Sequence, residues 1–177
     1  MLYQGTVPDW TRTMLKDNIL LCPIREPDVI ATQKFGNYNT LYGRGFHSGG
    51  DLARKNPADT FRTKIMSPGI GKIITSQWQD DKDHTAGYGQ YVVFVPDAYP
   101  WLGIIMAHQD ERLVKSGDRV THDTQIGFVG NTGFSKGAHL HIEYRPLGHI
   151  LDGNYSIPPW FHVNKNGIFC PMDLNML

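Results

Sequence analysis

The stretch 137-GAHLHIEYR-145 decides how this chain folds. Its polar and apolar residues alternate with the two-residue period of a strand, in which successive side chains point to opposite faces. His139, His141 and Glu143 therefore share one face, and Leu140, Ile142 and Tyr144 share the other. The apolar face buries against a core, leaving two imidazoles side by side on the exposed or cleft-facing side. Alone, such a pair is either part of a metal site or two ordinary surface histidines. The remainder of the chain has to decide.

Working outward, other apolar or β-branched runs stand at 70-IGKIITSQW-78, 91-YVVFV-95, 103-GIIMAH-108 and 126-IGFVG-130. Turn-forming clusters separate them: 79-QDDKDHTAGYG-89, 96-PDAYP-100, 115-KSGD-118 and 130-GNTGFSKG-137. Short strands punctuated in this way predict an all-β domain, mainly antiparallel, with long loops. The 19 glycines and 11 prolines agree with many turns and few helices. One short N-terminal helix is expected within residues 9 to 21, with Asp9 as N-cap and Trp10 and Met14 on one side. Pro23 and Pro27 close it. A length of 177 residues suits a single domain. Its core is placed at residues 35 to 145, after an N-terminal extension (1 to 34) and before an irregular C-terminal wrap (146 to 177).

The 17 basic and 17 acidic residues balance, so no global field draws the chain to nucleic acid or to an anionic membrane. No run approaches the ~18 apolar residues that cross a bilayer. The short run 19-ILLC-22 follows Asp9, Arg12, Lys16 and Asp17 and does not read as a secretory signal. The expectation is synthesis in a cytoplasm and release by another route, or a leader already removed. Cys22 and Cys170 lie far apart and outside any C-x-x-C pattern, and read as two buried thiols.

Upstream, 42-YGRGFHSGGDLA-53 sets His47 and Asp51 four residues apart around Gly49 and Gly50. Paired glycines disfavour a helix there, at about 1 kcal/mol each. They suit an extended or bulged strand approached closely by another group. With His141, these residues supply two imidazoles and one carboxylate. Three ligands with a fourth position open is the composition of a catalytic zinc site rather than a structural one. In 104-IIMAHQD-110, period-2 alternation groups His108 with Ile104 and Met106, which reads as a histidine at the edge of the core.

Together these pieces become a resemblance. FHSGGDLA, MAH, KSGDRVTHDTQIGFVGNTG and KGAHLHIEYR stand in the order and at the spacing of the lysostaphin and LytM-type zinc endopeptidases of bacterial cell walls. The resemblance covers roughly residues 35 to 145. It implies a lysostaphin/LytM-like sheet and one Zn²⁺ held by His47, Asp51 and His141. It makes His108 and His139 the catalytic imidazoles. The segment 35-FGNY-38 resembles a stretch whose tyrosine steadies the oxyanion, so Tyr38 is carried over, with Tyr42 competing for the role. Methionine precedes Ala107-His108 where many relatives carry an aromatic, and the loop 79 to 89 has no obvious match.

Glu143 is expected to hydrogen-bond behind a ligand. His84, His122, His149 and His162 are expected in solvent. Trp78, Tyr88, Tyr99 and Trp101 are read as core or rim packing, or else as walls of a peptide groove.

The implied activity is hydrolysis of peptidoglycan stem or cross-bridge peptides, with no nucleic acid or membrane partner. The expected setting is a bacteriophage lysin, or a virion tail enzyme with tail proteins as partners. A cupin-like metal-binding barrel and a non-catalytic relative that binds wall peptides or a protein partner are the alternatives.

Overall fold

The longest strand organises the chain. In the computed structural model, which describes residues 20–42 and 45–150 and the backbone of 162–163 and 169–170, Leu102–Arg112 runs for eleven residues. In chain order the strands are β1 (Val29–Gln33), β2 (Gly50–Arg54), β3 (Lys64–Met66), β4 (Gly71–Trp78), β5 (Gln90–Pro96), β6 (Leu102–Arg112), β7 (Arg119–Val120), β8 (Gln125–Val129) and β9 (Leu140–Pro146). They form one antiparallel sheet ordered β1-β2-β9-β6-β5-β4-β7, with β8 attached to β6 and β3 attached to β8. A short separate pair joins β10 (His162–Val163) to β11 (Phe169–Cys170).

The five apolar runs of the sequence became β4, β5, β6, β8 and β9. The turn 96-PDAYP-100 closes the β5–β6 hairpin through Tyr99 N to Pro96 O at 3.0 Å and Leu102 N to Tyr99 O at 3.0 Å. Pro146 ends β9, because a residue without an N–H cannot continue the ladder.

Alternation sorts the sheet into two faces. One carries Leu52, Leu140, Ile142, Tyr144, Ile104, Met106, Val92, Phe94 and Ile73, packed with Ile65, Ile126 and Val129 as the main core. Leu20, Cys22 and Ile24 complete it. The segment set aside as an extension therefore supplies core residues and the edge strand β1. Cys22 is a free, buried thiol whose pKa burial pushes up to about 11. The opposite face has a smaller cluster of Tyr91, Val93, Ile105 and Ala107, and next to it stand His141, Glu143 and Arg145.

The expected N-terminal helix falls mostly on residues 1–19, outside the described residues, and Leu20 and Leu21 are not helical. Past Pro146, Leu147–His149 form one 3₁₀ turn. No helix among the described residues is long and apolar enough to cross a membrane.

Candidate active site

Register brings the first two residues together. Asp51 of β2 lies directly opposite His141 of β9, and opposed residues of an antiparallel pair leave the sheet on the same face. On the other flank of β9, small Ala107 faces His141. His47 enters from the loop before β2, anchored by its N–H to Asn37 O at 2.9 Å and its carbonyl to Gly36 N at 2.8 Å. Gly49 permits that loop to press on β9. A Cβ there would lie 2.4 Å from Ile142 O, 2.7 Å from Glu143 Cγ and 2.8 Å from His141 Cε1.

His47, Asp51 and His141 are all buried. His141 Nδ1 lies 3.0 Å from His47 Nε2 and 2.8 Å from Asp51 Oδ1, and His47 Nε2 lies 3.1 Å from Asp51 Oδ1. The outward nitrogens also have acceptors. His47 Nδ1 meets Lys34 O at 3.1 Å, and His141 Nε2 meets Glu143 Oε1 at 2.8 Å. With a cation at the centre, each outward nitrogen would carry the ring proton, because an N–H is what faces a carbonyl or carboxylate oxygen. In that state each imidazole spends its proton outward and turns a lone pair to the centre, whereas without a cation the inward nitrogens share a proton with the Asp51 carboxylate.

Three converging acceptors repel one another unless a positive charge sits among them. Without a metal, a proton fills that role. Burial opposes a charge on His141, but hydrogen bonds to Asp51 and Glu143 outweigh it and hold its pKa up to about 9. Burial likewise opposes the Asp51 charge, yet hydrogen bonds from His141 and His47 hold its carboxyl well below the usual range. Nitrogen and oxygen ligands about 2.0–2.1 Å from a tetrahedral ion would stand about 3.3 Å apart. The observed spacings of 2.8–3.1 Å come within about half an ångström of that. The donor set fits a metal cation with one coordination position left for solvent or substrate.

His108 reaches the site by another device. Gln90 and Val92 of β5 pair with Gln109 and Met106 of β6, so β6 carries one extra residue and bulges. At the bulge His108 has φ +61°, a left-handed conformation that costs a non-glycine residue of order 1 kcal/mol or more. Strict alternation would have put His108 on the core face beside Met106. The bulge turns it over, with its ring 5.5 Å from that of His141 and 4.8 Å from that of His139. That corrects the reading of His108 as a core-edge residue. The bulge also marks where β6 changes partner: Ala107 pairs with His141 of β9, and Gln109 pairs with Val129 of β8. The site occupies the fork so formed.

His139 stands just before β9, bridged to Gly130. Its Nδ1 donates to Gly137 O at 2.8 Å, and its Nε2 lies 3.6 Å from Asp51 Oδ1. His108 Nδ1 donates to Thr132 O at 2.7 Å. Burial and the neighbouring His141 and His139 push the His108 pKa down to about 3, so it is neutral. Ligand atoms of His108 and His139 converge with His141 as well. All five residues singled out in the sequence therefore meet at one point.

Tyr38 does not join them. It is 79% exposed, paired by its backbone with Phe46. Tyr42 instead packs its ring 5.4 Å from that of His47 and donates its hydroxyl to Gln33 Oε1 at 2.9 Å. Placement favours Tyr42 over Tyr38 as the tyrosine beside the site.

Behind His141, Glu143 accepts hydrogen bonds from Ser48 Oγ at 2.7 Å and Tyr88 Oη at 2.9 Å and pairs with buried Arg145. Burial raises its pKa, but the His141 hydrogen bond and the charges of His141 and Arg145 prevail and hold it at about 2. Glu143 lies in the sheet interior, since β9 runs between β2 and β6. Sequence reading missed Arg145 and Ser48 as parts of this support. The parity of 139, 141, 143 and 145 was the available signal for Arg145.

Of the aromatics, Tyr88 belongs to this support, while Tyr99 and Trp101 pack on the main core. Trp78 stacks on exposed His84 at 3.7 Å. His122 and His149 are half-buried rather than free in solvent, and His162 has no described side chain.

A strand fork carrying two imidazoles and a carboxylate for a cation, with two more imidazoles alongside, defines a metallopeptidase layout. The model of peptidase family M23 matches residues 45–153, and the chain belongs to that family. An uncharacterized metalloprotease of Haemophilus influenzae is 30% identical over 90 residues, 51% of this chain and 18% of that protein. The chain thus spans under a fifth of that relative's length.

Among solved structures, the catalytic domain of lysostaphin from Staphylococcus simulans superposes with a TM-score of 0.62 at 19% identity, covering 88% of this chain and 96% of that one. A zinc containing peptidase from Vibrio cholerae superposes with a TM-score of 0.60 at 24% identity, covering 78% and 39%. At those identities the two structures speak to the fold, which is lysostaphin-like.

Gly49→Ala is expected to weaken metal binding roughly tenfold or more by pushing β9 and its histidine away, whereas Gly148→Ala, where an added Cβ meets nothing within 4 Å, leaves it unchanged. Competition against a chromophoric chelator reads both. Because the metal-free His141 keeps its proton up to about pH 9, metal uptake at pH 7 should release about one proton, and affinity should fall about tenfold per unit as pH drops. Calorimetry in two buffers of different ionisation heat measures the proton, and none released would contradict this charge balance.

Proposed function

We propose that the chain is a zinc endopeptidase that hydrolyses peptide bonds in bacterial peptidoglycan, in a stem peptide or a cross-bridge. Zn²⁺ would be held by His47 Nε2, Asp51 Oδ1 and His141 Nδ1, with His108 and His139 as the catalytic imidazoles. The observation that carries the reading is the convergence of His47 Nε2, Asp51 Oδ1 and His141 Nδ1 within 2.8–3.1 Å of one another, with outward acceptors ready for both ring protons. Family membership supports peptide-bond hydrolysis. The shared fold with a zinc containing peptidase and with the antimicrobial peptidase lysostaphin supports the metal and a bacterial target.

Zinc, when bound, supplies Lewis acidity that activates water and polarises a carbonyl. The chain supplies the rest. Asp51 offsets one unit of the ion's charge, and Arg145 offsets Glu143, so the centre stays net positive. His139 has its Nδ1–H fixed on Gly137 O, so a proton taken from the attacking water arrives at Nε2. Its side chain is 17% exposed, against 4% for His47 and 8% for His141, and it can pass that proton to the leaving amine. The new C–O bond replaces the C–N bond. His108, kept neutral by burial, offers a second acceptor that orients the water.

The cupin-like alternative needs a barrel, and this sheet is open and forked. The non-catalytic alternative predicts binding of wall peptides without release of amino groups. Purified peptidoglycan incubated with the metal-loaded protein is expected to release free amines. His139→Ala and His108→Ala should keep the metal and lose turnover by about 10²–10⁴-fold, while His141→Ala and Asp51→Ala should lose the metal too. Equal metal loss in all four variants would refute these roles.

A further inference from the structure

The turn 130-GNTGFSKG-137 supplies the Nδ1 acceptors of both non-ligand imidazoles, from Thr132 O and Gly137 O. Thr132 also acts through its side chain. Its hydroxyl donates to Gln109 O at 2.9 Å and accepts from Gln90 N at 3.0 Å. One hydroxyl thereby ties together β5 and β6 at the residues that flank the bulge. His108 N donates to Tyr88 O at 2.9 Å, which fixes the bulged residue from the other direction. Inside the sheet, fully buried Gln109 donates its Nε2 to Met106 O at 2.8 Å, bracing the strand across the same irregularity. Its Oε1 is the buried side-chain atom left without a partner among the described residues. The backbone there is tightly engaged: a Cβ on Gly89 would fall 2.4 Å from Thr132 Oγ1.

We infer that Thr132 is a positioning residue for His108, its carbonyl and hydroxyl together holding the left-handed bulge that aims Nε2 of His108 at the metal-binding centre. Strain at His108 favours a return to regular pairing, and a one-residue slip moves a side chain to the opposite face of a sheet. His108 would then lie with Met106, away from His139 and His141. The Thr132 hydroxyl opposes that slip because it engages Gln109 and Gln90 only in the bulged register. Its carbonyl fixes the Nδ1–H tautomer. Ligation does not enter, so loss of the clasp misaims His108 without emptying the site.

This inference rests on the peptidase reading for its kinetic test. Thr132→Val keeps the side-chain shape and removes the hydroxyl, and Thr132→Ser restores it. In the metal-loaded protein, Thr132→Val should retain one ion and a KM within about twofold, while kcat falls roughly 10- to 100-fold. Thr132→Ser should recover kcat to within about threefold of the parent. In ¹⁵N-histidine spectra of the loaded protein, the His108 Nδ1–H signal should shift or vanish in Thr132→Val, with the His141 signals unchanged. A wild-type kcat in Thr132→Val, an equal defect in Thr132→Ser, or an unmoved His108 signal overturns the clasp. Should the parent protein cleave no wall peptide, the functional reading fails, and the nitrogen spectra still decide the clasp.

Discussion

The structure depends on a repulsion that the fold builds and a cation relieves. Inward ring nitrogens of His47 and His141 and an oxygen of Asp51 stand 2.8–3.1 Å apart, brought together by strand register rather than by the local chain. Lys34 O and the Glu143 carboxylate offer both imidazole protons an outward acceptor, so a cation at the centre can replace the proton shared with Asp51 and meet acceptors only. In the metal-free protein the strain is expressed as a raised His141 and a depressed Asp51. A divalent ion answers it with more charge and a matching geometry. Removing the carboxylate at 143 would loosen the tautomer that makes the pocket selective for cations.

Around that centre, the sheet does the positioning by an irregularity rather than by its regular parts. β6 is long enough to pair with β9 over one half and with β8 over the other, and the change of partner opens a fork. His108 sits at the change. A bulge there costs pairing and backbone strain, and it gives the site a fourth imidazole, at a position that regular alternation would turn to the core. Ala107 opposite His141 and Gly49 against β9 are small, and each leaves space for the His141 ring in the fork.

Much of this was legible in the sequence because the period of β9 is strict. Leu140, Ile142 and Tyr144 went to the core and His141 and Glu143 to the other face, as alternation requires. The glycines before Asp51 correctly announced a close approach. Alternation failed at His108, since a bulge leaves no mark in the residue pattern of 104-IIMAHQD-110. There the likeness to a family carried information that periodicity lacked. Tyr38 failed differently: its choice over Tyr42 depended on the path of an irregular loop, and loops obey no period. The extension before residue 35 was misjudged because Leu20, Cys22 and Ile24 belong to a core assembled from distant strands, and short apolar stretches do not declare their partners.

The central claim is that His47, Asp51 and His141 hold one ion while His108 and His139 remain free to handle protons. Anomalous diffraction at the zinc edge, from crystals of the full chain grown with one equivalent of zinc, tests it most directly. The account predicts a single peak within about 2.0–2.2 Å of His47 Nε2, Asp51 Oδ1 and His141 Nδ1. A peak seated instead between His108 and His139, with Asp51 turned away, would contradict it.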